Sequence, residues 1–227
     1  MKYIVIGLGR FGSMLASTLA TSGHEVIGID NREDRCEEIK DSISTTMRLD
    51  STNVNAVKTL PLNDIDAVIV AIGEDVGASV LTLSILKNLN VQRIIGRAVN
   101  QTHRDILNHI GIEEVVLPLE DSALHVSSML QLKDVFRITE ITEDYAIAEV
   151  QVPEKYAGHS LDTVNMEERF RIKAAAIKSA PKRNIINSIF RRNYTVELFY
   201  DKSRLLRGTD IIIVAGKIPD IKRFMES

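Results

Sequence analysis

The sequence predicts an α/β fold, a Rossmann-like doubly wound parallel sheet of six strands followed by a smaller α+β lobe. Three observations predict it. The chain opens with an apolar run, Tyr3-Ile4-Val5-Ile6, that breaks into Gly7-Leu8-Gly9-Arg10-Phe11-Gly12 and then takes a helical pattern over 13–21. Strand, G-x-G-x-x-G and helix in that order are the context in which three glycines cradle a phosphate pair rather than simply turn the chain. Over the first 118 residues, short strand-like runs and amphipathic stretches alternate six times, the pattern of a parallel sheet covered on both faces. Near Val135 the period switches to two, which marks a second lobe.

Each element has its own reason. Tyr3–Ile6 has no polar face, as a strand buried on both sides requires. Gly7 permits the tight turn, Gly9 brings the backbone close to a ligand, and Gly12 lets helix and strand pack closely. The helix then offers its unpaired N–H groups and positive dipole end to an anion, with Leu8, Arg10 and Phe11 filling the loop. The second strand, 25–29, ends at Asp30, 18 residues beyond Gly12. That is close to the spacing of the carboxylate that takes a ribose hydroxyl pair in dinucleotide folds. Such a carboxylate also repels a 2′-phosphate, an exclusion that Arg32 weakens. Asn31 and Arg32 follow on the same edge, and the alternative role for Asp30 is to cap a helix over 32–40. A third strand over 44–48 leads to Asp50 and Ser51, which either meet an adenine edge or cap a short helix over 53–60.

The fourth strand, 66–71, ends in Ala71-Ile72-Gly73-Glu74 at the carboxyl edge of the sheet, where open α/β folds bind ligands. A long apolar helix covers 76–89. The fifth strand, 92–96, delivers Arg97 to the same edge, as a phosphate or ribose partner or as a solvated charge. His103 and His109 lie on the next helix without a second ligand at metal spacing, so both read as surface or packing residues. A sixth strand spans 114–117. The expected domains are a nucleotide-binding domain at 1–118, a crossover or dimerisation helix at 119–135, and the second lobe at 136–227. Within 119–135, residues 120–134 read as helical and carry more apolar surface than a terminal helix closing a sheet requires, the excess lying either over another subunit or over its own sheet. In the second lobe a hairpin is expected from 136–141 and 146–152, then strands at 172–178 and 210–215 and a terminal helix at 218–225. Residues 180–207 hold seven basic side chains against two acidic ones, either an anionic partner's contact or a solvated loop.

Composition narrows the function. A net charge of −3 argues against nucleic acid. The absence of a leader and of any ~20-residue apolar run predicts a cytoplasmic chain. One cysteine, Cys36, allows no intrachain disulfide. The apparatus of an enzyme is missing: the second lobe has one histidine, His159, with no relay around it, and no Walker lysine follows the glycines. Sensing by a shift in conformational equilibrium fits better than turnover. The competing expectation is a small NAD(P)-dependent oxidoreductase or NAD-sensing redox protein.

GLGRFG at 7–12, the strand end at Asp30, DST at 50–52, VIVAIG at 68–73, RAVN at 97–100 and VLP at 116–118 together resemble the regulator-of-potassium-conductance (RCK, TrkA-N) domains of bacterial Trk and Ktr systems. GHSL at 158–161 and LRGTDIIIVAG at 206–216 resemble the companion TrkA-C lobe. The resemblance covers nearly the whole chain. It implies a non-enzymatic gating subunit, peripheral at the inner face of the membrane. Such subunits dimerise and assemble into tetrameric or octameric rings on an integral-membrane potassium channel or translocator. It implies ATP/ADP, or alternatively NAD/NADH, in the glycine crevice. Arg10 matches a position that reaches the terminal phosphate of ATP in a neighbouring subunit, which favours ATP/ADP. Ktr-type members place a glutamate directly after the proline to serve a divalent cation. Here Leu119 stands there and Glu120 comes next, a departure that weakens the case for a divalent or monovalent cation and leaves Glu120 as its candidate ligand. The companion lobe of some relatives binds cyclic di-AMP, for which no motif here is specific enough.

Overall fold

The computed structural model describes residues 1–131, 134–179, 194–198 and 200–227. They form two units, Met1–Asp121 and Ser122–Ser227.

The first unit is a six-stranded parallel sheet of β1 (Lys2–Ile6), β2 (Glu25–Asp30), β3 (Thr45–Arg48), β4 (Ala67–Val70), β5 (Ile94–Arg97) and β6 (Glu114–Val116), in the order β3-β2-β1-β4-β5-β6. Every pairing is parallel. The order reverses between β1 and β4, so the crevice of a doubly wound fold opens there, beyond the strands' carboxyl ends. Ile4, Val5 and Ile6 in β1 and all of β4 are buried, because helices cover both faces. The helices are α1 (Arg10–Thr21), α2 (Glu33–Ile39), α3 (Val54–Val57), α4 (Val76–Asn88) and α5 (Gln101–His109). One face buries Leu83, Leu86 and Leu107 against β1 and β4, while the other buries Leu8, Ala16, Cys36 and Ile39.

Helix starts differ from the expected caps. Asp30 does not cap α2: its N-cap is Arg32, with no side-chain hydrogen bond. Neither Asp50 nor Ser51 caps α3, whose cap is Asn53, accepting from the amides of Asn55 and Ala56. Asp50 instead closes its own turn, accepting from the Thr52 hydroxyl and amide at 2.7 and 2.9 Å. Those bonds hold its carboxyl below the usual carboxylate range.

His103 is a core residue, 2 % exposed, with Nδ1 accepting from the Val99 amide and Nε2 buried without a partner. Burial pushes its pKa below the ordinary 6.5. The unfolded chain therefore gains a proton that the folded unit refuses, and this contribution to stability is present above pH 6.5 and lost as pH falls. A single such group changes stability by at most about 1.4 kcal/mol per pH unit. His103→Gln is expected to flatten the fall in unfolding free energy between about pH 7 and about pH 5, read by urea titration at each pH. An unchanged slope would contradict this.

The helix α6 (Pro118–Gln131) starts at the proline itself, where a missing N–H costs nothing. It is described as far as Gln131; residues 132–133 lie outside the described residues, and Val135 already belongs to a strand. Leu119, Leu124, Val126 and Leu130 on it are exposed.

The second unit is an antiparallel sheet of β7 (Val135–Glu140), β8 (Tyr145–Gln151), β9 (Lys173–Ser179), β10 (Thr195–Glu197) and β11 (Ile211–Lys217), in the order β10-β9-β11-β8-β7. Short helices α7 (Leu161–Val164) and α8 (Met166–Phe170) and the terminal α9 (Ile218–Glu226) accompany it. Tyr156 stacks on Phe224, and Phe170 meets Phe224 edge-on. Of the basic stretch, Lys182, Arg183, Arg191 and Arg192 lie outside the described residues. Arg204 is structural: its Nη2 donates to Ser179 Oγ at 2.8 Å and to Asp210 Oδ2 at 3.0 Å. Among the described residues no helix is long and apolar enough to cross a membrane.

Candidate functional site

The glycine loop joins β1 to α1 in the first unit. Gly7 has φ of +95°, and a Cβ there would lie 2.9 Å from the Ile72 amide nitrogen. A Cβ on Gly12 would lie 1.9 Å from the Gly7 carbonyl oxygen, so only glycine permits this closeness of loop and helix. Gly9 is the N-cap of α1 in extended conformation, with no side-chain hydrogen bond and no acidic residue in the first turn. No acidic side chain of the 12-residue helix itself therefore faces its positive end. A Cβ on Gly9 would meet only one atom within 4 Å, Nη1 of Arg35 at 3.6 Å. This bare face is the place where a diphosphate can approach the backbone.

Asp30 ends β2 at 5 % exposure. Its Oδ2 accepts from the Leu8 amide at 2.7 Å and its Oδ1 from the Arg32 amide at 2.9 Å. The carboxylate thus fixes the glycine loop while retaining acceptor capacity on its outer side, since each oxygen carries two lone pairs. Leu8 contributes its amide; its side chain is core. Arg35, on α2, reaches Asp30 Oδ2 at 3.6 Å through Nη1. Through Nη2 it donates to both oxygens of Glu74, at 2.9 and 3.1 Å. Glu74 comes from the loop after β4, so this ion pair ties the edge of β2 to the edge of β4.

A second group forms at β4 and β5. Arg97 Nη1 donates to the Ala71 carbonyl at 3.3 Å, its guanidinium lies 5.5 Å from the centre of the Phe11 ring, and its Nε is buried without a partner. A Cβ on Gly73 would lie 2.3 Å from Arg97 Nη1. Ile72 packs on Gly7.

Gly7, Leu8, Gly9, Asp30, Ile72, Glu74 and, through Phe11, Ala71, Gly73 and Arg97 are therefore brought together at one sheet edge. Arg10, Asn31 and Arg32 are exposed, and the Arg32 guanidinium pairs with Asp34. Ser51 is buried and hydrogen-bonds Thr82 Oγ1 at 2.8 Å, linking its loop to α4 instead of presenting its hydroxyl to solvent. Glu120 is exposed in the first turn of α6. Among the described residues no group of three His, Cys, Asp or Glu side chains converges as a metal site. Two participants escaped the sequence reading. Arg35 stands beside the buried Cys36 and one turn before Ile39, a spacing that aims it back at the sheet edge. Thr82 sits inside an apolar helix, where a hydroxyl needs a partner.

The residues could hold a nucleotide: an open glycine face, a helix N-terminus with no acidic side chain in its own first turn, and a carboxylate at the strand end beside them. The TrkA-N domain family matches residues 3–118. The chain is 33 % identical over 223 residues to the Ktr system potassium uptake protein C of Bacillus subtilis, covering 98 % of this chain and 95 % of that one. It is 29 % identical to the Ktr system potassium uptake protein A of Vibrio alginolyticus, covering 95 % and 92 %. In structure it is similar to the GsuK RCK domain, with a TM-score of 0.64 at 13 % identity over 100 % of this chain and 48 % of that one. A GsuK channel bound to NAD matches with a TM-score of 0.63 at 14 % identity, covering 98 % of this chain and 38 % of that one. This chain thus spans about half of the GsuK RCK chain or less, and that likeness speaks to the fold. By its glycine loop, its sheet order and these relatives, the chain belongs to the TrkA-N family and is an RCK-domain protein of the Ktr type.

Proposed function

We propose that this protein is a nucleotide-sensing regulatory subunit of a potassium transport system, and not an enzyme. The observation that carries the reading is the bare face of Gly9 beside Asp30, in a chain that matches potassium uptake proteins over nearly their whole length. The nucleotide's ribose is held by Asp30 and its phosphates lie on the loop from Gly9 to Gly12 and the start of α1. Ala71, Ile72, Gly73 and Arg97 close the opposite side, and Asp50 and Ser51 carry the loop nearest the adenine. ATP and ADP are the ligands, because Arg10 is an exposed guanidinium at the positive end of a helix, an unfavourable place without an anionic partner. The partner is an integral-membrane potassium channel or translocator, to which a homo-oligomeric ring, built from dimers, docks at the cytoplasmic face. Nucleotides act on that ring only through different affinities for its two shapes.

A thermal-shift titration with ATP, ADP, NAD and NADH tests the ligand. ATP and ADP are expected to raise Tm, with stabilisation reaching about 2.7 kcal/mol at a hundredfold excess over Kd. Stabilisation by no nucleotide would contradict the reading. The GsuK channel bound to NAD supports NAD or NADH as the second candidate for the same crevice, and stabilisation by these alone would select it. Arg10→Ala is expected to lower ATP affinity about tenfold, the loss of one charge-assisted contact, while ADP affinity changes less. Equal losses would remove Arg10 from the terminal phosphate.

A further inference from the structure

Arg35 lies where a bound nucleotide must pass. Its Nη1 stands 3.6 Å from the position of a Cβ on Gly9, directly over the face that the glycine leaves open, and 3.6 Å from Asp30. The guanidinium is therefore between the ribose carboxylate and the phosphate loop. Its side chain is 21 % exposed, and Nη2 is satisfied by both oxygens of the Glu74 carboxylate. Glu74 is 80 % exposed, in the loop after β4, and Arg35 is its ion-pair partner, with the Arg32 guanidinium also close enough to feel its charge. A carboxylate on an exposed rim, paired with a guanidinium that faces a phosphate site, occupies the place that a ligand's own phosphate would take on that guanidinium. An exposed pair of this kind contributes little to folding, so exchanging one anion for another on Arg35 costs the fold little.

We infer that Arg35 is a phosphate-binding residue of the crevice and that Glu74 competes with the phosphates of an incoming nucleoside di- or triphosphate for it. This rests on the crevice being the nucleotide site. In the free protein Glu74 holds the guanidinium; in the complex the phosphates take it and the Glu74 carboxylate turns out to water. Glu74 thereby lowers affinity for every nucleotide whose phosphates reach Arg35, and leaves a ligand without phosphates unaffected. Occupancy then responds to nucleotide concentration in a range set by this one ion pair.

The test is calorimetric titration of the full chain with ADP and with adenosine, for the wild type, Glu74→Gln, Arg35→Gln and the double variant. Glu74→Gln, at an exposed position, keeps the fold and is expected to tighten ADP about three- to tenfold while leaving adenosine unchanged. Arg35→Gln is expected to weaken ADP about tenfold or more, and in the double variant the gain from Glu74→Gln shrinks, because the two residues act as a pair. Unchanged or weaker ADP binding by Glu74→Gln would overturn the inference, as would an equal tightening of adenosine. A wild type that binds neither ligand would overturn the nucleotide reading beneath it, a result distinct from wild-type binding that Glu74→Gln fails to alter.

Discussion

Gly12→Ala is expected to abolish ADP binding and to destabilise the first unit by about 3 kcal/mol, at the upper end of ordinary overpacking. The added methyl would stand 1.9 Å from the Gly7 carbonyl oxygen and 3.0 Å from its carbon. Those are backbone atoms, and they cannot rotate away as a side chain would. The Gly7 amide is bonded to the Ile29 carbonyl at 2.7 Å, so the loop is pinned to β2 and α1 must move outward instead. Moving α1 takes Gly9 and the helix end away from Asp30, which is itself bonded to the Leu8 amide. Gly23→Ala provides the contrast. Gly23 has φ of +85° with open space around it, so an alanine there pays only backbone strain, about 1–2 kcal/mol, and leaves ADP binding intact. Urea unfolding and calorimetry on both variants read the two effects separately. Full nucleotide binding by Gly12→Ala would show that closeness of loop and helix is not what shapes the site.

Asp210→Ala is expected to destabilise the second unit by about 3–5 kcal/mol, the usual cost of removing one partner from a buried ion pair. Asp210 is fully buried, and its Oδ2 accepts from Arg204 Nη2 and from the Arg207 amide, both at 3.0 Å. Removing it leaves the Arg207 amide without its acceptor and Arg204 with Ser179 and a distant Glu197, 3.8 Å away. Arg204 Nη1 is already buried without a partner, so little reserve exists to absorb the loss. Protection of β9 and β11 amides from hydrogen exchange would fall with the stability of this unit. Asp210→Asn keeps the shape and an acceptor, and is expected to cost about half as much. A loss below about 1 kcal/mol for Asp210→Ala would mean that the pair is not fully desolvated.

Much of the first unit was legible because parallel strands buried on both faces leave an unmistakable trace. Tyr3–Ile6 and residues 66–71 read as continuous apolar runs, and both are central strands of the sheet. The glycine loop was legible for a similar reason: the need for a bare backbone writes itself as glycine. Side-chain geometry at the sheet edge was not legible in the same way. Asp30 was recognised by spacing, yet its bonds to the Leu8 and Arg32 amides follow from how β2 turns into α2, which sequence spacing does not state. Capping was one of two roles open to Asp50 and Ser51; Asn53 is the cap instead, and Ser51 faces inward to Thr82. In the second unit the hairpin of β7 and β8 was legible from its alternation. The five-residue α8, bracketed by Asn165 and Arg171 in left-handed conformation, and the three-residue β10 are too short to set up a period. Their existence depends on packing, with Met166 and Phe170 buried in the same core as Phe224. Arg35 shows the same limit at the site. An arginine on a short polar helix becomes informative only when Glu74, 39 positions away, arrives beside it.

Nucleotide identity is expected to set the shape of the assembled protein. Small-angle X-ray scattering of the full chain, saturated in turn with ATP and with ADP, measures that most directly. Two distinct scattering profiles are expected, interconverted by exchanging one nucleotide for the other. Superimposable profiles with both nucleotides bound would contradict it.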